Sequence, residues 1–331
     1  MATLTFERLA AACCRLLLAL PLAVGLACSA HAEAWPARPV KIVVPYPAGG
    51  ATDAIARLFA AKYQERTGVG MIVENRGGAG GNIGADAVAK AEPDGYTLLI
   101  TISGIAVAPA LYRKLAYDAD NDLVRVTQLV SSKSVLVVNP QVPARSFQEL
   151  VSLVKSKPDD FNYGTTGVGS MTHLGMELMK RQSGTRIQMV PFTGDAPLFT
   201  ALLRNDVQMG LLPVSIMKEQ ITSGAVRPIG VATPQRLSTL PGVPTLAEQG
   251  LEGFDSSSWI GLFAPRGTPR EVIDRLYKET RAAFDTPEFV ERLEGLQLEP
   301  VGSTPEAFEA VWRADRARYT RIVRDANIPL Q

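Results

Sequence analysis

The sequence predicts an α/β fold, and three observations carry that prediction. Apolar runs of strand length alternate with segments whose apolar residues recur every three or four positions. Most of these runs are apolar throughout, the pattern expected of parallel strands covered on both faces. Several of them end in a small-residue loop that opens a helix, the junction at which open α/β sheets hold their ligands.

In chain order, VKIVVPY at 40–46 is the first expected strand, and the helix after it shows the stripe Ile55, Leu58, Phe59, Tyr63. Further strands are expected at 70–74, 96–102 and 134–139. In NYGTTGVGSMTHLGMELM, Gly164 to Ser170 lie between a strand and a helix with Leu174, Leu178 and Met179 on one face. Strands follow at 187–192, 207–212, 227–233 and 258–265. A helix is marked by Val272, Ile273, Leu276 and Phe284, and a last one opens on Thr304 as cap, Pro305 in the first turn and Glu306. These strands fit one large sheet or two smaller ones. Two lobes are preferred, because 124–140 and 255–265 both read as long extended crossings. That places 134–254 in one lobe and 33–133 with 255–331 in the other.

The first 32 residues are expected to be a secretory signal: Arg8 and Arg15, the apolar run LLLALPLAVGLA, then Ala30-His31-Ala32 before the cut. A lipoprotein reading with Cys28 acylated fits less well, because Gly25-Leu26-Ala27 is a poor match before it. All three cysteines, Cys13, Cys14 and Cys28, lie in this leader, so an exported chain from Glu33 onward relies on its core alone. The leader holds two of the 34 basic and one of the 33 acidic residues, which leaves 32 of each. That balance, with no long basic run, argues against nucleic acid or an anionic membrane as partner.

Four loops are candidates for binding. The first contains Tyr46, Pro47, Ala48, Gly49, Gly50, Thr52 and Asp53; the second Ser103 and Gly104; the third Thr165, Thr166, Gly167, Val168, Ser170 and His173; the fourth Phe192, Thr193, Asp195 and Ala196. Helix starts offer free N–H groups and partial positive charge to an anion. No Lys or Arg occurs at 45–56 or 162–179. Phosphate is commonly gripped by such cations, so a carboxylate suits these loops better. The alternative is a plain βα turn, with Gly49 or Gly50 at positive φ, Thr52 as helix cap and Asp53 and Asp195 as first-turn acids.

Other chemistries find little support. GGAGGNIG at 77–84 approaches a dinucleotide loop but has Ile83 where the third glycine belongs. Ser170 and His173 form Ser-x-x-His, yet no GxSxG elbow accompanies them, and a serine hydrolase is the weaker reading. With His173 the one histidine after the leader and no cysteine, the usual zinc sets are excluded.

Four long segments, WPARPVKIVVPYPAGGATDAIARL, VENRGGAGGNIGADAVAKAEPDGYTLLI, NYGTTGVGSMTHL and PGVPTLAEQGLEGFDSSSWIGLFAPRGTP, resemble the Bug family, the receptors of tripartite tricarboxylate transporters. The resemblance runs in order through the chain after the leader. It implies a type II periplasmic-binding-protein fold: two α/β lobes, a hinge and a ligand cleft between them. It implies a carboxylate pinched between residues 46–53 and 165–170, with its far end read by Ser103, Gly104 and Ile105 and by 192–197. It implies capture in the periplasm rather than catalysis, by a monomer with no cofactor or metal, for membrane subunits of a transporter or for a sensor protein. The chain departs from the family pattern at Thr193 and Asp195, and at Leu211-Leu212 where many members carry an acid. Those departures point to a ligand with one carboxylate and a neutral or positive far end.

Overall fold

The structure, a computed structural model, describes residues 35–331. The expected signal segment lies outside the described residues. Arg38–Gln331 form one compact unit.

Two sheets form the frame. Strands β1 (Val40–Val44), β2 (Met71–Asn75), β3 (Thr97–Ile102), β4 (Leu123–Ser132), β10 (Ser258–Pro265) and β11 (Glu299–Pro300) make a six-stranded sheet in the order β11-β4-β10-β3-β1-β2. Strands β5 (Ser134–Val138), β6 (Asn162–Thr165), β7 (Gln188–Pro191), β8 (Met209–Pro213) and β9 (Arg227–Val231) make a five-stranded sheet in the order β7-β6-β8-β5-β9.

The expectation of parallel strands holds in part. Strand β1 is parallel to β2 and β3, and β6 to β7 and β8. Strand β10 runs antiparallel to β3 and β4, and β5 antiparallel to β8 and β9. These strands are buried on both faces, so they too lack a polar alternate and read like parallel ones. In β5, Leu136 and Val138 enter one core cluster while Val135 and Val137 enter another, one on each side of the sheet.

The register fixes where the chain changes sheet. Ser132 pairs with Ser258 and Ile260 with Ile102, so β4 ends, and β10 begins, at the carboxyl end of β3. Ser134 pairs with Pro213 and Val135 with Val231, so β5 begins, and β9 ends, at the carboxyl end of β8. Both crossings, through Lys133 and through 232–257, therefore join the same ends of the two sheets. The second is drawn together by the Ser256 N–H donating to the Ala232 carbonyl at 3.0 Å.

The α-helices of the described residues are α1 (Ala51–Thr67), α2 (Asn82–Ala89), α3 (Gly104–Leu111), α4 (Phe147–Ser156), α5 (Met171–Ser183), α6 (Asp195–Arg204), α7 (Val214–Thr222), α8 (Arg270–Phe284), α9 (Pro287–Gly295) and α10 (Pro305–Asp325); all but α9, which follows α8, come after a strand. In α10 the expected start is observed: the Thr304 hydroxyl accepts the Ala307 N–H at 3.2 Å. Its first half packs Phe308 and Trp312 among Trp259 and Phe263, and its second half packs Tyr319, Ile322 and Val323 among Leu136, Leu174 and Met209 of the second sheet. The helix thus belongs to both cores.

Gly261 on β10 makes room for the Phe308 ring: a Cβ built there would collide with Phe308 Cζ and stand 2.6 Å from Cε1. Gly261→Ala is expected to destabilise the fold by about 1–3 kcal/mol through overpacking, and Phe308→Ala by about 3–5 kcal/mol through loss of a buried ring. Urea unfolding of both variants measures this. Two neutral substitutions would refute this packing.

Candidate functional site

All four candidate loops lie at the crossing ends of the sheets, because each follows the carboxyl end of a parallel strand. Residues 45–50 join β1 to α1. Pro47, Ala48, Gly49 and Gly50 are exposed, whereas Tyr46 turns inward. Its hydroxyl is 3.2 Å from Thr101 Oγ1, and burial pushes its pKa up to about 12. The glycine-rich run seats this tyrosine: Gly81, at φ +99°, leaves no space for a Cβ against the Tyr46 hydroxyl, and Gly84 lies tight against Pro45 and the Arg76 carbonyl. That is a packing role, and it accounts for the glycines that resemble a dinucleotide loop.

Helix α1 begins one residue pair earlier than expected. Gly50, not Thr52, is the N-cap, and no side chain caps it. Its first amides therefore lack the usual acceptor and are available to an anion. Asp53 in that first turn is buried and turned back on its own loop. Its Oδ2 accepts the Gly49 N–H at 2.9 Å and Arg57 Nε at 3.0 Å, and its Oδ1 accepts Asn75 Nδ2 at 3.0 Å. Arg57 first, then the amide donors, hold the Asp53 pKa down at about 2. Both oxygens are committed, so Asp53 braces the loop.

The second loop is stitched to β10. Ser103 is wholly buried, its Oγ 2.7 Å from Ser258 Oγ and its N–H donating to the Trp259 carbonyl at 3.0 Å. Gly104 opens α3, which also has no side-chain cap.

The third loop is a cluster of hydroxyls. Thr165 Oγ1, Thr166 Oγ1 and Ser170 Oγ lie 2.8, 3.1 and 2.9 Å from Thr172 Oγ1, which also accepts the Thr166 N–H at 3.1 Å. Thr172 is the hub, and it is absent from the residues that the sequence singles out. Only its position in the first turn of the helix after Thr165-Thr166 could have marked it. Ser170 caps α5, accepting the His173 N–H at 3.3 Å. The buried imidazole of His173 faces elsewhere: its Nδ1 accepts the Gly169 N–H at 2.9 Å, and it stacks on Tyr163. Burial lowers its pKa, which favours the neutral acceptor form that this bond needs. No hydrogen bond joins the imidazole to Ser170 Oγ, so the pair is not arranged as nucleophile and base.

This loop also meets the other sheet's elements. Gly169, at φ +76°, lies against the Leu111 side chain of α3, and Gln331 Nε2 donates to the Val168 carbonyl at 2.9 Å. The Phe192 N–H donates to the Thr165 carbonyl at 2.8 Å, which ties the fourth loop to the third. Gly194 caps α6 without a side chain. Thr193 and Ala196 are exposed. Asp195 is exposed as a residue and has no ion-pair or hydrogen-bond partner among the described residues, yet the protein around its carboxyl pushes its pKa up. Leu211 and Leu212 are core residues on opposite faces of β8. No hydrogen bond joins residues 46–53 to 165–170 among the described residues.

Comparison with known proteins gives a consistent set. Residues 55–328 match the family described as the tripartite tricarboxylate transporter family receptor. Protein BugT of Bordetella pertussis is 34% identical over 309 residues, 93% of this chain and 95% of BugT. The solved structure of R. palustris Rpa4515 with adipate is 34% identical with a TM-score of 0.79, over 90% of this chain and 100% of that one. MatC from Rhodopseudomonas palustris with bound malate is 33% identical with a TM-score of 0.74, over 87% of this chain and 100% of that one.

The brace at Asp53 has a pH signature. Its folded pKa of about 2 lies below the ordinary 3.8, so on acidification the unfolded chain takes up the proton first. Its stabilising contribution is complete above about pH 4 and is lost as pH falls towards 2. Unfolding midpoints from pH 7 to 2.5 should drop less steeply below pH 4 for Asp53→Asn than for the unaltered chain. Parallel curves would remove Asp53 from this role.

Proposed function

We propose that this chain, which belongs to the tripartite tricarboxylate transporter receptor family, captures a small carboxylate in the periplasm and presents it to membrane subunits of a transporter. The observation that carries this reading is the chemistry of the loops at the crossing ends. The α1 start is uncapped, the 165–172 loop offers hydroxyls, and neither stretch contains a cation. Amides and hydroxyls match a single carboxylate in charge and geometry. Rpa4515 and MatC were solved with adipate and with malate, which supports the same ligand class.

The ligand would lie between two lobes, 33–133 with 255–331 and 134–254, with the carboxylate held by the 46–53 and 165–170 loops. Lobe closure then converts binding into a shape that a membrane partner recognises. The step is capture without bond making. It requires no nucleophile, and the disposition of Ser170 and His173 provides none. Among the described residues no helix is long and apolar enough to cross a membrane.

Asp195 sets the far end in this reading. An unpaired acid there disfavours a second carboxylate and favours a neutral or cationic group. Adipate, malate, monocarboxylates and amino acids should be compared by thermal shift, where a ligand at a hundredfold excess over its Kd adds about 2.7 kcal/mol of stability. Asp195→Asn is expected to strengthen dicarboxylate binding and weaken binding of ligands with a cationic far end, each on the order of tenfold. The raised pKa predicts that the dicarboxylate gain of Asp195→Asn shrinks as pH falls and the native carboxyl protonates. Unchanged affinities for every cationic ligand would sink the assignment of Asp195. Silence of the unaltered protein, refolded to remove carried ligand, across the whole panel would sink carboxylate capture.

A further inference from the structure

We propose that Asn75, on β2 and outside all four candidate loops, is the positioning residue of the 45–50 loop and thereby of the candidate carboxylate site. The proposal rests on the reading of that loop as a carboxylate holder.

The loop has few anchors of its own. Side-chain hydrogen bonds reach its backbone at two points among the described residues: the Tyr46 carbonyl accepts Asn75 Nδ2 at 3.1 Å, and the Gly49 N–H donates to Asp53 at 2.9 Å. Both lead to one pair. The same Asn75 Nδ2 donates to Asp53 Oδ1 at 3.0 Å, and Asn75 Oδ1 accepts Arg57 at 3.2 Å. One side-chain amide therefore ties the beginning of the loop to the acid that ties its end.

Strand register places it there. Asn75 pairs with Val44, the last residue of β1, so its side chain meets the loop at the point where the chain leaves the sheet. The need for such a tether is physical. Gly49, at φ +85°, and Gly50 leave the loop with large conformational freedom, and an untethered loop would have to be ordered by the ligand itself. Asn75 also matters for charge. With Arg57 and the Gly49 N–H it occupies the Asp53 oxygens, so the charge of the first-turn acid is engaged within its own loop.

Asn75→Leu and the near-isosteric Asn75→Asp test this. Loop order is read by hydrogen–deuterium exchange of peptides covering 45–54 in the ligand-free protein, and affinity by titration with adipate and malate. Asn75→Leu leaves two acceptors unbonded and should weaken binding by about tenfold, with faster exchange confined to 45–54. Asn75→Asp removes both donated bonds and sets a second carboxyl against Asp53. The charged groups meeting it are Asp53 and Arg57; Lys41 and Glu74, nearby on β1 and β2, pair with each other. At pH 8 this variant should bind worse than Asn75→Leu. Its deficit relative to the unaltered protein should narrow as pH is lowered and the coupled carboxyls take up a proton that can be donated again. A merely destabilised fold would show no such narrowing.

Unchanged exchange at 45–54 in Asn75→Leu would overturn the proposal. Faster exchange with unaltered affinity would overturn it too, by showing that the loop's order does not serve the ligand. If the unaltered protein binds neither acid, the carboxylate reading of these two ligands falls, while exchange at 45–54 still decides whether Asn75 orders the loop.

Discussion

The site depends on one topological constraint: the chain passes between its two sheets only at the ends where their parallel strands finish. Ser132–Ser134 and the 232–257 segment are fixed there by pairing with Ser258, Pro213 and Val135. The loops that follow the parallel strands β1, β3, β6 and β7 are consequently delivered to the same region, whereas those after the antiparallel β5 and β10 leave from the opposite ends. Helix starts α1, α3, α5 and α6 point their amides towards it, and three of those four lack a side-chain cap. Uncapped starts cost stability on their own. Gathered at one place, they make a region of partial positive charge from backbone amides.

The crossings are not slack linkers. Helix α10 is embedded in both cores and grips the second crossing. Asp315 accepts Trp259 Nε1 at 2.7 Å, while Arg318 donates to the Asp255 carbonyl at 2.6 Å and to Asp315 at 2.7 Å. These groups are largely buried, where hydrogen-bonded charges are held most tightly and where removing one partner is most disruptive. Apolar contact of Tyr319 and Ile322 with the second sheet adds to the same tie. The relation between the sheets is thus defined by side chains of one helix as well as by two lengths of backbone.

Much of this was legible in the sequence. Apolar runs and helical stripes located the elements, and the four loops emerged from small-residue composition alone. Strand direction was less legible, because a strand covered on both faces reads the same whether its neighbours run with it or against it. The crossing at Lys133 appeared only as an extended stretch, since a change of sheet leaves no periodic mark. Asn75 and Thr172 were missed for a different reason. Each acts through register or helical phase: Asn75 by pairing beside Val44, Thr172 by lying in the first turn of α5 within reach of Thr165. Neither residue type announces such a role. The partners of Asp53 were not legible either, because one of them, Asn75, comes from another strand.

The two first-turn acids show how far local pattern carries and where it stops. Asp53 and Asp195 each follow a strand, a small-residue loop and a glycine cap, and each lies in the first turn of a helix. Their electrostatic states are opposite, one pKa lowered and the other raised. Part of the difference is written four residues on: Arg57 stands at that position for Asp53, and Phe199 for Asp195. The rest belongs to sheet order. Strand β1 has β2 outside it, which supplies Asn75 as a second donor, whereas β7 is the edge of its sheet and has no outer neighbour to supply one. The acid beside β2 becomes scaffold, and the acid at the edge has no hydrogen-bond or ion-pair partner among the described residues. A single local pattern thus gives a braced acid at one place and an unpaired one at the other, according to what the adjacent strand brings to it.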